Sequence, residues 1–210
     1  DDDIESVAAL QIDVFVPPPL PPPSLPLLAS YWLLQQPESR KQMRKRLAAD
    51  LRRRVDKGST LLVASAPRSA LPATDESAVA PTSMPSLSYE EDTDELLLGT
   101  VDLSTQELEL PTHGIADDAM YLSHLCVLPA YRRQGVGRRL LEAAQETASA
   151  CGAYGIYLHV ERANGEALGL YRSAGFATMP SSAMYVTFTR ALNLQQREPL
   201  LLHKVLLDRV

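Results

Sequence analysis

The chain has 210 residues, 45% of them hydrophobic, and a formal net charge of −6, which suits one core in a single decorated domain spanning 1–210. An acidic balance runs against a nucleic-acid surface, which shows as a basic excess, and no run of about 18 or more apolar residues offers a membrane span. Cys126 and Cys151 lack CxxC spacing and the four histidines are scattered, so the pattern implies no metal box and no disulfide framework, and a reducing compartment.

The first residue is Asp1 rather than Met, which reads as a trimmed chain whose targeting peptide would be out of view. Asp1–Phe15 is predicted helical: Ile4, Val7, Ala8 and Phe15 fall at helical spacing, and the opening acids suit a helix N-terminus. Gln11 interrupts that stripe, and Leu10, Ile12, Val14 and Val16 alternate as a strand would. Pro17–Pro23 holds six prolines in seven residues and reads as a stiff polyproline-like loop, with an SH3-type ligand as the alternative. Leu25–Lys57 is predicted helical with an interruption near Pro37 and a stop at Gly58. Nine Lys/Arg within Arg40–Lys57 read as a solvated helix face, with a docking surface as the alternative.

Thr60–Ser65 is a short apolar strand. Residues 66–93, rich in Pro, Ser, Ala and acids, read as a flexible insertion. Glu95–Leu103 is a strand, followed by a turn and the alternating segment Glu107–Leu110, a plausible hairpin. Met120–Leu128 is a strand, and Gly135–Cys151 a helix with Val136, Leu140, Leu141, Ala144 and Ala148 on one stripe. Gly155–Val160 is a strand, Gly165–Ala174 a helix, and Phe176–Met179 and Met184–Thr189 are strands. This order makes an α+β domain with a central mixed sheet.

The most informative stretch is Arg132-Arg133-Gln134-Gly135-Val136-Gly137-Arg138, between a strand and an amphipathic helix. A helix start exposes N–H groups without intrahelical partners and carries a partial positive charge, so it suits a pyrophosphate. Gly135 and Gly137 let the backbone come close, and Arg132, Arg133 and Arg138 can add charge-assisted bonds. No Lys-Ser/Thr follows the glycines as a P-loop requires, and no third glycine completes GxGxxG.

Leu125-Cys126-Val127-Leu128-Pro129-Ala130-Tyr131-Arg132-Arg133-Gln134-Gly135-Val136-Gly137 resembles the acetyl-CoA motif of the GNAT superfamily, R/Q-x-x-G-x-G/A after a strand. Asn164-x-x-Ala167-x-x-x-Tyr171-x-x-x-Gly175-Phe176 is similar to that family's second signature. The resemblance implies the GNAT fold, a mixed, mostly antiparallel sheet flanked by helices. Its fourth and fifth strands, which correspond to Met120–Leu128 and Gly155–Val160, would splay to admit the pantetheine arm. It places the acetyl-CoA-binding core at 120–190. The backbone of Leu125, Cys126 and Val127 would bond the pantetheine amides, and one N–H, that of Leu125, would polarise the acetyl carbonyl. Gln134, Gly135, Val136, Gly137 and Arg138 would hold the pyrophosphate and Asn164 would reach the pantetheine. The family normally opens with a strand before a sequence like Asp2-Asp3-Ile4, and its absence fits a trimmed chain.

Tyr171 is the candidate acid for the leaving thiolate, by resemblance and because a phenol of pKa about 10 is protonated at neutral pH. Candidate bases are Tyr121, Ser123, His124, His159 and Glu161. Tyr121 and His159 resemble the tyrosine and histidine of NatE- and NatF-type Nα-acetyltransferases; Tyr121 precedes Arg132 by 11 positions and His159 precedes Tyr171 by 12, as in that subfamily. On two splayed strands they would face each other. His124 has the opposite strand parity and is expected to face the other side of the sheet. A Cys126 acyl-enzyme is not needed at a backbone-lined site.

The resemblance thus implies direct acetyl transfer from acetyl-CoA to the α-amine of a protein or peptide, then to lysine side chains. Small amines, or a non-catalytic acetyl-CoA-binding module, remain as alternatives. A Tyr-Leu-Ser-x-x-Cys-Val strand before Arg-Arg-Gln-Gly is similar to plastid GNAT enzymes and implies a plastid location, with the cytoplasm as the alternative.

Overall fold

The computed structural model describes residues 2–16, 37–70, 95–105, 118–179 and 199–206. Pro17–Pro23, residues 25–36, most of the 66–93 insertion and the expected strands Glu107–Leu110 and Met184–Thr189 lie outside them. In chain order the elements are α1 (Asp2–Phe15), α2 (Pro37–Asp56), β1 (Thr60–Pro67), a 3-10 turn (Arg68–Ala70), β2 (Glu95–Ser104) and β3 (Ala119–Val127). A second 3-10 turn (Pro129–Tyr131), α3 (Val136–Ala150), β4 (Gly155–Glu161), α4 (Gly165–Ser173), β5 (Ala177–Thr178) and β6 (Pro199–Val205) complete them.

Among the described residues the strands form one six-stranded sheet in the order β1-β2-β3-β4-β6-β5. β3 and β4 run parallel, while β6 lies antiparallel to both β4 and β5. The expected α+β architecture, a mixed sheet with flanking helices, is thus present. The ladder between β3 and β4 joins Ala119–Tyr121 to Gly155–Tyr157. Both strands continue past it, to Val127 and Glu161, which is the parting expected of them.

Three expectations are corrected and one boundary, at Pro37, is met. The alternating half of the first segment is helical throughout α1, and Gln11 is not an interruption but lies on its buried face, while Phe15 is 53% exposed. The helix of the second segment starts at Pro37, where the interruption was expected, and residues 25–36 lie outside the described ones; proline fits a first helical turn, where its missing N–H has no partner to lose. The start of the 66–93 insertion is ordered, as the end of β1 and the turn Arg68–Ala70. The strand β6 was not expected at all.

The chain divides into two compact units. The first takes in residues 1–53, 63–100 and 126–136. Its core includes Val7, Ala8 and Leu10 of α1 with Ala48 and Leu51 of α2, and Arg44 pairs with Asp13 at 2.9 Å. Gln11 Nε2 donates to Thr100 Oγ1 at 3.3 Å, and that hydroxyl lies 3.5 Å from the buried Cys126 Sγ. A polar chain therefore threads an otherwise apolar interior, where a lone amide would be costly.

The second unit takes in 54–62, 101–125 and 137–210. The predicted stripe of α3 is buried at Leu140, Leu141, Ala144 and Ala148, as are Met120, Leu122, Ile156, Leu158 and Leu202 of the strands. Lys204 Nζ of β6 donates to Gln145 Oε1 of α3. The end of α2 closes with Gly58 N–H bonded to Val55 O at 2.9 Å and Ser59 N–H to Arg54 O at 2.9 Å, the paired 5→2 and 6→1 bonds that satisfy terminal carbonyls.

Candidate active site

The site begins where β3 and β4 part. Tyr121 is the last residue of β3 in the ladder, opposite Tyr157, and His159 stands two residues further along β4. Strand alternation gives Tyr157 and His159 the same face, so the Tyr121 and His159 side chains converge. The Tyr121 hydroxyl and His159 Nδ1 are 3.0 Å apart, with ring centroids at 5.8 Å. Burial lowers the His159 pKa below its ordinary 6.5, because a desolvated imidazolium is disfavoured. His159 is therefore neutral at pH 7 and able to accept a proton.

Tyr171 lies on the buried side of α4, edge-on to Phe176 with centroids 5.8 Å apart. Burial, and secondarily the charge Tyr121 would carry if ionised, push its pKa up to about 12. The second cause puts Tyr171 within electrostatic reach of Tyr121. Three of the predicted residues are thus grouped, one held as an acid and one as a base.

Asn164 caps α4: its Oδ1 accepts from Ala167 N–H at 3.1 Å. The spacing N-x-x-A is therefore also a helix-start signal, the side chain satisfying an N–H of the first turn.

In the loop before α3, Arg133 and Gly135 are left-handed, at φ 63 and φ 86. Residues 132–135 are exposed, and the first turn of α3 carries no acid. A Cβ built on Gly135 meets nothing within 4 Å, so the backbone angle, not crowding by protein, calls for glycine there. Left-handed residues in such a turn bring successive N–H groups toward a common side, an anion-binding arrangement. Three of the expected ligating side chains have protein partners, two of them arginines: Arg132 Nε donates to Val127 O at 3.2 Å, and Arg138 Nε to Glu142 Oε1 at 2.9 Å. Gln134 Nε2 donates to Ala130 O at 3.1 Å.

His124 breaks the regularity of β3. Met120 and Leu122 are buried, with Tyr121 and Ser123 facing the other way, but His124 adopts φ 52. Its Nδ1 lies 3.1 Å from Ser123 Oγ. A non-glycine residue in this region costs about 1–2 kcal/mol. His124 Nδ1 also lies 3.0 Å from Asp102 Oδ2, which accepts from Arg54 Nη1 at 3.2 Å. Arg54 Nη1 also lies 3.2 Å from His124 Nδ1, so the three groups meet at one point. Arg54 and Asp102 were not singled out from sequence, although an aspartate amid the apolar residues of β2 was a signal. The other candidate bases, Ser123 and Glu161, sit beside His124 and at the exposed end of β4. No group of three or more His, Cys, Asp or Glu among the described residues could hold a metal.

Residues 57–176 match the acetyltransferase (GNAT) family. A chloroplastic GCN5-related N-acetyltransferase 6 of Arabidopsis thaliana is 39% identical over 56 residues, which are 27% of this chain and 19% of that protein. The [ribosomal protein bS18]-alanine N-acetyltransferase of Escherichia coli is 38% identical over 65 residues, 31% of this chain and 43% of that protein. The match thus takes in less than half the length of either relative. The paia N-acetyltransferase of Thermoplasma acidophilum, solved in complex with coenzyme A, shares the fold with a TM-score of 0.53 at 14% identity, over 97% of this chain and 93% of that one. A match over more than half of its residues, on a sheet of this topology, makes the chain a member of the acetyltransferase (GNAT) family.

Proposed function

We propose that the protein is an acetyl-CoA-dependent N-acetyltransferase, working as a single catalytic domain and acting on the α-amine of a protein or peptide, with lysine side chains as secondary acceptors. The observation that carries this reading is the 3.0 Å Tyr121–His159 bond at the parting of β3 and β4, with Tyr171 in electrostatic reach. The exposed turn at 132–135, with its two left-handed residues and open space at Gly135, fits a diphosphate. In this reading Leu125, Cys126 and Val127 offer backbone to the pantetheine amides, and Asn164, the cap of α4, is a further ligand of the same arm. Acetyl-CoA supplies the thioester.

The residues divide the proton work. Neutral His159, bonded to Tyr121, takes a proton from the incoming ammonium directly or through a water. The freed nitrogen lone pair forms the bond to the acetyl carbon, whose oxygen gains charge and receives the Leu125 N–H. The carbon–sulfur bond breaks with its electron pair on sulfur, and Tyr171 delivers its hydroxyl proton there. The second proton leaving nitrogen restores Tyr171, so the net yield is amide, thiol and one proton.

One relative is named for alanine in a ribosomal protein and another as chloroplastic; these names support a protein acceptor and a plastid location. The test is mass-spectrometric mapping of products after incubation with acetyl-CoA and mixed peptides carrying both free α-amines and lysines. Labelled α-amines are expected. Labelling only at lysine Nζ overturns the acceptor, and CoA binding without turnover overturns the activity. A fluorescent fusion of the full-length protein in leaf cells tests the compartment, with a diffuse cytoplasmic signal counting against plastids.

A further inference from the structure

The proposed scheme leaves the Arg54–Asp102–His124 cluster without a task. Asp102 is only 4% exposed, in the middle of β2. Its Oδ2 accepts from Arg54 Nη1 at 3.2 Å and lies 3.0 Å from His124 Nδ1, while its Oδ1 is buried with no hydrogen-bond partner. A buried carboxylate is costly unless it is paired, so the cluster is an anchor rather than an incidental surface pair. It anchors the His124 side chain, on a residue whose backbone is left-handed at φ 52.

Unfavourable backbone angles persist where their surroundings over-determine them. In a regular strand successive N–H groups point to alternate edges; one left-handed residue breaks that alternation and re-aims its C-terminal neighbour. That neighbour is Leu125, whose N–H is the carbonyl donor of the proposed reaction. All four residues lie in the second compact unit.

We propose that Arg54, Asp102 and His124 are positioning residues: they clamp the His124 side chain, hold the kink in β3, and so fix the aim of the Leu125 N–H at the thioester carbonyl. The inference rests on the acetyltransferase reading. In it the imidazole matters as a handle, not as a proton carrier. A residue that accepts φ 52 by itself needs no handle, and glycine does so freely while asparagine tolerates it.

The test compares His124→Ala, His124→Gly and His124→Asn by steady-state kinetics, well below each variant's melting temperature. His124→Ala should lower kcat by about 100-fold, the order seen when one such donor is lost, with the KM for acetyl-CoA within about 3-fold of the parent. His124→Gly and His124→Asn should regain at least about 10-fold of that loss, because the kink survives. Asp102→Asn should lower kcat in the parent and add nothing in the His124→Gly background. Equal losses in Ala, Gly and Asn overturn the proposal and make the imidazole itself the working group. Full activity in all three overturns it in favour of a purely stabilising cluster. Failure of the parent protein to transfer acetyl at all sinks the underlying reading instead, so the two failures are distinguishable.

Discussion

Tyr171 and His159 are tuned in opposite senses by the same cause. Removing water penalises whichever form is charged, so the phenol holds its proton and the imidazole sheds its own. Tyr171→Phe keeps the ring against Phe176 and deletes only the hydroxyl. It should lower kcat by about 100-fold or more with little change in the KM for acetyl-CoA, and stopped-time assays at varied acetyl-CoA check this; unchanged kcat removes Tyr171 from the mechanism. The pH dependence has a definite sign. Folded His159 refuses a proton that an unfolded histidine accepts below about 6.5, so its contribution to stability is intact above that value and lost as pH falls. The acid limb of kcat/KM should therefore lie below 6.5, measured between pH 5 and 9 in constant ionic strength; a limb at 7 points to another base. Tyr171 acts at the other end: its protonated state favours folding below about 10 and is lost as pH rises toward about 12.

At the scale of elements, the loop before α3 is the part whose sequence and geometry agree most directly. Gly135 sits at φ 86 with open space beyond it. Gly135→Val puts a β-branched side chain at an angle it resists and into the volume read as the diphosphate seat. It should weaken CoA binding by at least about 10-fold in calorimetry while leaving the rest of the sheet folded; retained affinity argues against the loop assignment. α3 itself was legible because its apolar positions recur at helical spacing and its start is marked by the glycine pair. Two other elements were not legible, for physical reasons. The run Leu200–Leu202 in β6 lacks the alternation that marks a half-buried strand, and a short continuous apolar run does not distinguish strand from helix. The kink at His124 has no local signature: regular alternation does not foresee a left-handed residue, and the partners of its side chain, Arg54 and Asp102, are distant in sequence. The convergence of Tyr121 and His159, by contrast, followed from parity on two regular strand segments. Gln11 was misjudged because helical patterning scores polarity, whereas its amide is buried with a partner on Thr100.

For the molecule as a whole, the placing of β6 between β4 and β5 sets a tight steric condition. A Cβ on Gly155 would stand 2.8 Å from Lys204 O, a backbone atom of the adjoining strand, in a register that pairs Gly155 with Val205. Gly155→Ala must push two strands apart and should destabilise the protein by about 1–3 kcal/mol, read as a lower denaturation midpoint in urea. An unchanged midpoint would mean that this strand contact is looser than described. The ordering of the sheet also constrains how the protein is made on the ribosome. When residues 155–161 emerge, the neighbour that covers one whole edge of that strand, 199–205, has not yet been synthesised. A nascent chain at that point exposes a bare apolar β edge, a template for wrong pairing between growing polypeptides. Translation must pass 199–205 before that edge is covered, so a pause or truncation upstream of it leaves an aggregation-prone intermediate.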